Sequence, residues 1–205
     1  MNVIDDGMRR YYDARASEYD DWWLGTGLFA DRVRPGWARE REALAAVVRD
    51  LEPVRTLDVA CGTGFLTRLM SGQVTAIDQS PRMVEIARTR MAHADVQQAD
   101  AVPLPFADNA FDRVFTSHFY GHLLPDERGR FLAEARRVAG EELVLVDSAL
   151  RPDGVPEAWQ ERTLNDGTTH RVYKRWFTGD GLATELGDAE VLFDGDWFVA
   201  VRSVH

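Results

Sequence analysis

The sequence predicts an α/β fold built on a mostly parallel, doubly wound sheet. Strand-like apolar runs alternate with helical patterns through the first 150 or so residues, and this alternation favours parallel strands joined by right-handed crossovers. A glycine pair follows the first strand, and the last strands alternate around Gly195-Asp196, a signal for a tight antiparallel hairpin. The length of 205 residues fits one domain better than two, and a hydrophobic share of 45% is enough for a sizeable core.

The central part of the chain supplies five strands and three helices. Proline suits the first turn of a helix, and Pro81 and Pro125 each stand where a helical pattern begins. The predicted helices are Phe65–Met70, Pro81–Met91 and Pro125–Val138. The predicted strands are 55–59, 73–77, 95–98, 113–117 and 143–147.

The two ends of the chain complete the predicted fold. Residues Met8–Tyr19 and Gly36–Leu51 show helical patterns and are joined by an aromatic loop over 21–29. We expect these N-terminal helices to cover the strand ends as a lid. Ala189–Asp194 and Trp197–Arg202 alternate like strands, which brings the sheet to seven.

Composition narrows the possible partners. The formal net charge of −10 repels phosphate backbones, so we expect no nucleic-acid substrate. Cys61 is the only cysteine, which excludes an intrachain disulfide and a cysteine-rich metal cluster. No run approaches the roughly twenty apolar residues of a membrane helix, and the first residues lack the apolar stretch of a signal peptide. We therefore expect a soluble cytoplasmic protein that does not bind membranes.

A ligand site is predicted where the first strand ends. Residues 56–67 carry a hydrophobic strand into Gly62-Thr63-Gly64 and then a predicted helix, and glycines let the backbone approach a ligand closely. Open α/β sheets bind ligands at this edge. Asp78 closes the second strand, where a carboxylate can accept hydrogen bonds from both ribose hydroxyls of an adenosine ligand. Because Ser80 can cap the next helix, we expect Asp78 to be free for the ligand.

Two nucleotide patterns are missing. A dinucleotide fingerprint needs glycine or alanine where Thr67 stands, which weakens the case for a nicotinamide oxidoreductase. A triphosphate-binding Gly-x-x-x-x-Gly-Lys sequence is absent.

The remaining pattern resembles class I S-adenosylmethionine-dependent methyltransferases. Leu-Asp-Val-Ala-Cys-Gly-Thr-Gly is similar to their motif I, with Ala60 in place of a frequent glycine, and Asp78 falls where their ribose-binding acid lies. Residues 97–117 are similar to the next motif, and residues 12–20 to the opening of ubiquinone/menaquinone-biosynthesis-type enzymes. The segment Val-Ala-Gly-Glu-Glu before strand five departs from the family's Pro-Gly-Gly.

The resemblance implies a Rossmann-like domain over 1–205 that binds S-adenosylmethionine. Its parts would be N-terminal helices over 1–52, a cofactor-binding core over 53–148, and a substrate-side segment with the hairpin over 149–205. The cofactor-binding residues it implies are Tyr19, Asp58, Ala60, Gly62, Gly64, Asp78, Gln79, Met83, Asp100, Ala101 and Ser117.

The same resemblance places the exit of strand four beside the transferable methyl group. His118 and His122 are the histidines there, and we name both as catalytic candidates. His118 suits a general base, whereas His122 matches a His-Leu pair for which a structural hydrogen bond and catalysis both stay open.

Five N-terminal aromatic residues are candidates to line a lid over the pocket. Tyr11 and Tyr12 are expected in the core instead. The five are Tyr11, Tyr12, Tyr19, Trp22 and Trp23.

No metal is expected, because no acid follows strand four until Asp126. The predicted function is methyl transfer to a small molecule, such as a metabolite, a natural product or a quinone-like ring. A different reaction on the same cofactor, such as cyclisation or decarboxylation, and a non-catalytic cofactor-binding module remain alternatives. The sequence determines neither the acceptor atom nor the oligomeric state.

Overall fold

The computed structural model describes residues 6–204, and a seven-stranded sheet forms its centre. The strands lie in the order β3-β2-β1-β4-β5-β9-β8. The first five in that order are parallel, and β9 runs antiparallel to both β5 and β8. This confirms the predicted sheet and its antiparallel hairpin. The strands are β1 Val54–Val59, β2 Gly72–Asp78, β3 Asp95–Gln98, β4 Phe111–Ser117, β5 Ala139–Ser148, β8 Glu190–Asp194 and β9 Phe198–Val204.

Helices cover both faces of the sheet. Successive residues of a strand point to opposite faces, and Val114 and Phe115 of β4 accordingly belong to two separate hydrophobic clusters. The Val114 side packs against α5 and α6, and the opposite side against α3 and α4. The helices are α1 Asp6–Arg15, α2 Tyr19–Leu24, α3 Trp37–Arg49, α4 Pro81–Arg90, α5 Pro125–Val138 and α6 Gly179–Glu185.

Two predicted helices differ from the structure. Phe65–Met70 is not an α-helix and holds only a 3₁₀ turn at Thr67–Leu69, because Met70 is already extended and too few residues remain to nucleate a helix. The predicted helix Met8–Tyr19 is broken after α1 by a 3₁₀ turn at Ala16–Glu18. The next helix, α2, contains Trp22 and Trp23, which the sequence had assigned to a loop.

A second, two-stranded sheet was missed by the sequence analysis. Strands β6 (Glu157–Thr163) and β7 (Thr169–Arg175) pair antiparallel around Asp166-Gly167. Asp166 accepts a hydrogen bond from the Thr168 N–H at 2.9 Å, which stabilises the turn. An Asp-Gly pair between alternating runs is a recognised hairpin signal, so the sequence analysis could have predicted this sheet.

The β6–β7 hairpin lies against the N-terminal helix. Leu164 and Val172 bury Tyr11 of α1 in a small hydrophobic cluster. The contact brings residues about 150 positions apart in sequence together above the strand ends. The helices within residues 6–204 are all too short or too polar to span a bilayer.

Candidate active site

A cleft of about 950 Å³, its open mouth included, lies at the carboxyl ends of β1, β2 and β4. Helices α1 and α2 and the β6–β7 hairpin contribute its other walls. Most of the residues singled out from the sequence meet there. Those that line the cleft are Tyr19, Ala60, Gly62, Asp78, Gln79, Met83, Ala101, Ser117, His118 and His122.

The turn after β1 is held to the end of β2 by Asp78. One carboxylate oxygen accepts a hydrogen bond from the Gly62 N–H at 2.9 Å, and the other accepts one from the Ser80 N–H at 2.9 Å. The expectation that Asp78 is free was therefore wrong, although each oxygen keeps a further lone pair. Burial raises the pKa of Asp78 to about 6, and these hydrogen bonds oppose the rise. Ser80 does cap α4, accepting from the Met83 N–H at 3.2 Å.

Three positions of this turn, Ala60, Gly62 and Gly64, adopt the left-handed conformation that favours glycine. Gly62 has a φ of +56° and Ala60 a φ of +60°. A Cβ added to Gly62 would lie 3.4 Å from the Tyr19 ring. The Tyr19 ring thus covers the turn, and burial raises the pKa of its hydroxyl. A side chain at position 62 would lie against the Tyr19 ring, and atoms beyond its Cβ would have to displace that ring.

Three predicted cofactor residues do not line the cleft. Asp58 is buried, accepts a hydrogen bond from the Thr67 hydroxyl, and has its pKa raised to about 8 by burial. Gly64 makes room for Met91, whose Sδ would be 2.7 Å from an added Cβ. Asp100 is exposed at the surface. The structure gives Asp58 a hydrogen bond and Gly64 a packing contact within the protein. Contacts of these three residues with a cofactor therefore stay predictions.

His122 forms a chain of hydrogen bonds with Tyr12 and the hairpin. Its Nδ1–H donates to the Tyr173 carbonyl at 2.6 Å, so Nε2 accepts from the Tyr12 hydroxyl at 2.8 Å. Burial lowers the pKa of His122 well below its ordinary value, and burial also raises the pKa of Tyr12 to about 12. Both groups are therefore neutral. Tyr12 lines the cleft, so the expectation that it belongs to the core was wrong, whereas Tyr11 is buried as expected.

His118 occupies a strained position in an aromatic box. Its φ is +55°, and its ring centroid lies 4.9 Å from that of Trp22 and 5.0 Å from that of Trp23. Nδ1 is 3.3 Å from the Ser148 hydroxyl, and Nε2 is buried without a hydrogen-bond partner within the described chain. Burial lowers the pKa of His118 to about 3, which makes the imidazole neutral at physiological pH and a weak base.

A buried ion pair supports both histidines. Lys174 of β7, the only lysine in the sequence, donates to Asp147 at the end of β5. The other Asp147 oxygen accepts from the Gly121 N–H at 2.7 Å, in the turn that contains His122. Burial lowers the pKa of Lys174, and the charge of Asp147 opposes this. The sequence analysis did not single out Lys174, because only the folded chain places it opposite Asp147.

The hairpin also contributes residues that the sequence analysis missed. Trp159, Arg171 and Tyr173 line the cleft, and the Arg171 guanidinium lies 4.8 Å from the Trp159 ring centroid. They belong to the unpredicted sheet, so recognising the Asp166-Gly167 turn was the one route to them.

Comparisons with known proteins agree with this geometry. A family profile described as a methyltransferase domain matches residues 57–143. Demethylmenaquinone methyltransferase from Thermotoga maritima is 30% identical over 148 residues, which is 70% of this chain and 61% of that protein. Malonyl-[acyl-carrier protein] O-methyltransferase from Halorhodospira halophila is 28% identical over 202 residues, 93% of this chain and 64% of that protein.

Among solved structures, the DhpI–SAM–HEP complex is similar over nearly the whole chain. The sequence identity is 27% and the TM-score 0.75, with 98% of this chain and 99% of the other covered. The chain spans about three fifths of the length of the two curated relatives above.

Proposed function

This chain belongs to the class I S-adenosylmethionine-dependent methyltransferases, and we propose that it transfers the methyl group of that cofactor to a small-molecule acceptor. The observation that carries the proposal is the shared cleft. The Gly62 turn and the Asp78 carboxylate form one wall, and Tyr12, His118 and His122 form another. The strand ends that would bind the cofactor thus share one cleft with a hydroxyl and two imidazole groups.

The residues of the first wall fit the cofactor. A carboxylate at position 78 has lone pairs left for two ribose hydroxyls, and such charge-assisted hydrogen bonds are strong. The Tyr19 ring packs directly over Gly62, and both line the cleft, so a bulky side chain at position 62 would displace this wall. Gln79, Met83 and Ala101 line the same side and would face the adenine end.

When bound, the sulfonium cofactor supplies a methyl group that is already activated for attack. The protein then has to orient the acceptor and exclude water. Neither histidine is suited to remove a proton, because a general base works best with a pKa near the operating pH and burial lowers the pKa of both. We therefore propose that His118 and His122 position the acceptor and that neither takes a proton from it.

The named relatives support a small acceptor, since their names refer to demethylmenaquinone and to a malonyl group. A metabolite, a natural product or a quinone-like ring is proposed here. The same proposal places the protein in the cytoplasm, which its single cysteine and acidic charge favour.

Asp78→Ala tests the cofactor site. We expect wild-type protein to bind S-adenosylhomocysteine in the micromolar range by calorimetry, and Asp78→Ala to bind about ten- to a thousandfold more weakly. The reason is that each charge-assisted bond is worth about 1.5–3 kcal/mol, and about 1.4 kcal/mol is a factor of ten. The apo variant should also unfold more easily, because the Gly62 and Ser80 N–H groups lose their acceptor.

Ser80→Ala is the matched control. It removes the helix cap, which costs about 1 kcal/mol of stability, and should keep its cofactor affinity. Wild-type affinity in Asp78→Ala would contradict the assignment of this site. Failure of the wild-type protein to convert S-adenosylmethionine to S-adenosylhomocysteine with any member of a broad metabolite panel would contradict the proposed reaction.

A further inference from the structure

Two arginines beside the cleft, one buried and one half-buried, lack a carboxylate partner within residues 6–204. Arg15, in the last turn of α1, is 7% exposed, and its Nη1 donates to the Tyr11 hydroxyl at 3.1 Å. Arg162, on β6, is half-buried; its Nη2 donates to the Gln160 Oε1 at 3.1 Å, and its charge faces the Tyr11 and Tyr12 hydroxyls. The two Cζ atoms lie 5.7 and 5.9 Å from the Tyr11 ring centroid. Within residues 6–204, neither guanidinium forms an ion pair with an acid.

Other buried arginines of this protein are paired. Arg113 lies 2.5 Å from Glu142, and Arg128 lies 3.1 Å from Glu185. A buried charge is costly unless it is paired and hydrogen-bonded, and two like charges around one hydroxyl add mutual repulsion. The cluster of Arg15 and Arg162 differs from Arg113 and Arg128 because neither of its guanidinium groups is paired with an acid within residues 6–204.

The arginine cluster adjoins the acceptor side of the cleft. Neither arginine is among the residues that line the cleft, but both lie directly behind its wall. The Arg15 Cζ lies 5.0 Å from the centroid of Tyr19, which lines the cleft, and the charge of Arg162 faces Tyr12, which also lines it. His118 faces the charges of Lys174, Arg15 and Arg162 and the opposing charge of Asp147.

An independent observation points to a ligand at the same place. The Nε2 atom of His118 is buried and has no partner within the described chain. A buried nitrogen without a partner costs free energy, as an unpaired guanidinium does. Lys174 is already neutralised by Asp147, so two positive charges and one ring nitrogen remain unsatisfied.

We propose that the acceptor of this methyltransferase carries an anionic oxygen group, and that Arg15 and Arg162 bind it. The inference rests on the proposed function and names the substrate class of that site. Guanidinium groups match the geometry of carboxylate and phosphoryl oxygens and bind both by paired hydrogen bonds. Such a group supplies the charge that the two arginines lack, and the orphaned His118 nitrogen lies on the same side of the cleft to contact the acceptor.

Small probe anions test this inference on the complex with S-adenosylhomocysteine. Malonate and methyl phosphate are titrated into that complex by calorimetry, with malonamide and trimethyl phosphate as neutral counterparts. We expect at least one anion to bind, and its neutral counterpart not to. Preference for malonate identifies a carboxylate acceptor, and preference for methyl phosphate a phosphoryl acceptor. Absence of binding by both anions, or equal binding by the neutral probes, would overturn the inference.

Arginine variants locate the anion. Arg15→Gln and Arg162→Gln should each weaken anion binding by at least about tenfold, the size expected for a lost charged hydrogen bond. Arg68→Gln is the matched control, because Arg68 is exposed and stacks on Phe65 away from this cluster. Unchanged anion affinity in both cluster variants would overturn the inference.

Stability and cofactor binding separate the possible failures. Removing one of two uncompensated charges should leave the apo melting temperature unchanged or raise it, whereas a structural role for the arginines predicts a fall. If a variant does not fold, the melting temperature of the wild-type protein is measured with and without the probe anion. A rise on adding the anion supports the inference, and no rise contradicts it. A wild type that binds S-adenosylhomocysteine but methylates neutral acceptors alone refutes the anionic acceptor and leaves the proposed function intact.

Discussion

The two halves of the cleft are built from different parts of the chain. The cofactor half, formed by the ends of β1 and β2, relies on backbone groups and on the carboxyl groups of Asp58 and Asp78. The acceptor half, formed by α1, the turn after β4 and the β6–β7 hairpin, relies on side chains, among them Tyr12, Arg162 and Lys174. The first half contains acidic residues that lie close together in the sequence. The second is cationic and combines positions some 150 residues apart.

This difference separates cofactor binding, which is common to the family, from acceptor specificity, which differs among its members. A turn shaped by main-chain conformation tolerates little change, since it has to approach one constant ligand. Side chains on a peripheral hairpin and an N-terminal helix can vary while the sheet stays the same, and such peripheral segments commonly carry specificity. Variants in the two halves should therefore affect different steps of the reaction.

Gly62→Val should have the largest effect and should abolish binding of S-adenosylhomocysteine. Valine is disfavoured at a φ of +56°, and its branches would push against the Tyr19 ring, which lines the cleft. Calorimetry measures the binding, and circular dichroism shows whether the variant is folded.

Gly187→Val is its control, because Gly187 has a φ of +89° but no neighbour within 4 Å of an added Cβ. It should lose stability to the same type of backbone strain and keep its cofactor affinity. If both variants lose binding alike, strain alone explains the result and the cofactor half is wrongly placed.

Tyr12→Phe should have an intermediate effect, confined to the acceptor half. It removes the hydroxyl that hydrogen-bonds to His122, so turnover should fall about tenfold, as expected for losing roughly 1.4 kcal/mol of hydrogen bonding. Affinity for S-adenosylhomocysteine should stay within about twofold. Tyr120→Phe, whose hydroxyl bonds to Glu185 at 2.7 Å, is the control and should turn over normally. A loss of cofactor affinity in Tyr12→Phe would show that the two halves are not separable.

Asp58→Asn should have the smallest effect on binding. Burial raises the pKa of Asp58 to about 8, so the wild-type side chain is protonated at pH 7 and asparagine resembles that form. Cofactor affinity should change by less than about twofold. A large loss would instead show that Asp58 acts on the cofactor directly.

The raised pKa of Asp58 also makes the stability of the wild-type protein depend on pH, and Asp58→Asn removes this dependence. The folded state keeps this proton up to about pH 8, whereas the unfolded state releases it near its ordinary pKa of 3.8. Its contribution to stability is therefore complete below about pH 4 and is lost as the pH rises through 8. Asp58→Asn lacks this loss, so its stability relative to wild type should increase from pH 5 to pH 8 in urea denaturation. A constant difference would contradict the raised pKa.

The cofactor half was the more predictable, because its signals are local. The strand before Gly62, the acid at the end of β2 and the cap at Ser80 each depend on a few neighbouring residues. The error over Phe65–Met70 arose because the segment between Gly64 and β2 is too short to nucleate an α-helix, which the helical pattern alone does not show. The assumption that Asp78 was free failed because its partner at Gly62 comes from another strand's turn.

The sequence by itself determined the class of fold, the sheet with its C-terminal hairpin, the family resemblance, and the presence of most cofactor-side residues in one cleft. Alternation, helix periodicity and glycine turns are properties of short stretches, so they can be read without coordinates. The position of Tyr12 beside His122, the ion pair of Lys174 with Asp147, and the convergence of Arg15 with Arg162 were decided by the tertiary structure alone. Each joins residues from distant segments, and the burial that shifts their pKa values and leaves charges unpaired exists only when those segments pack together.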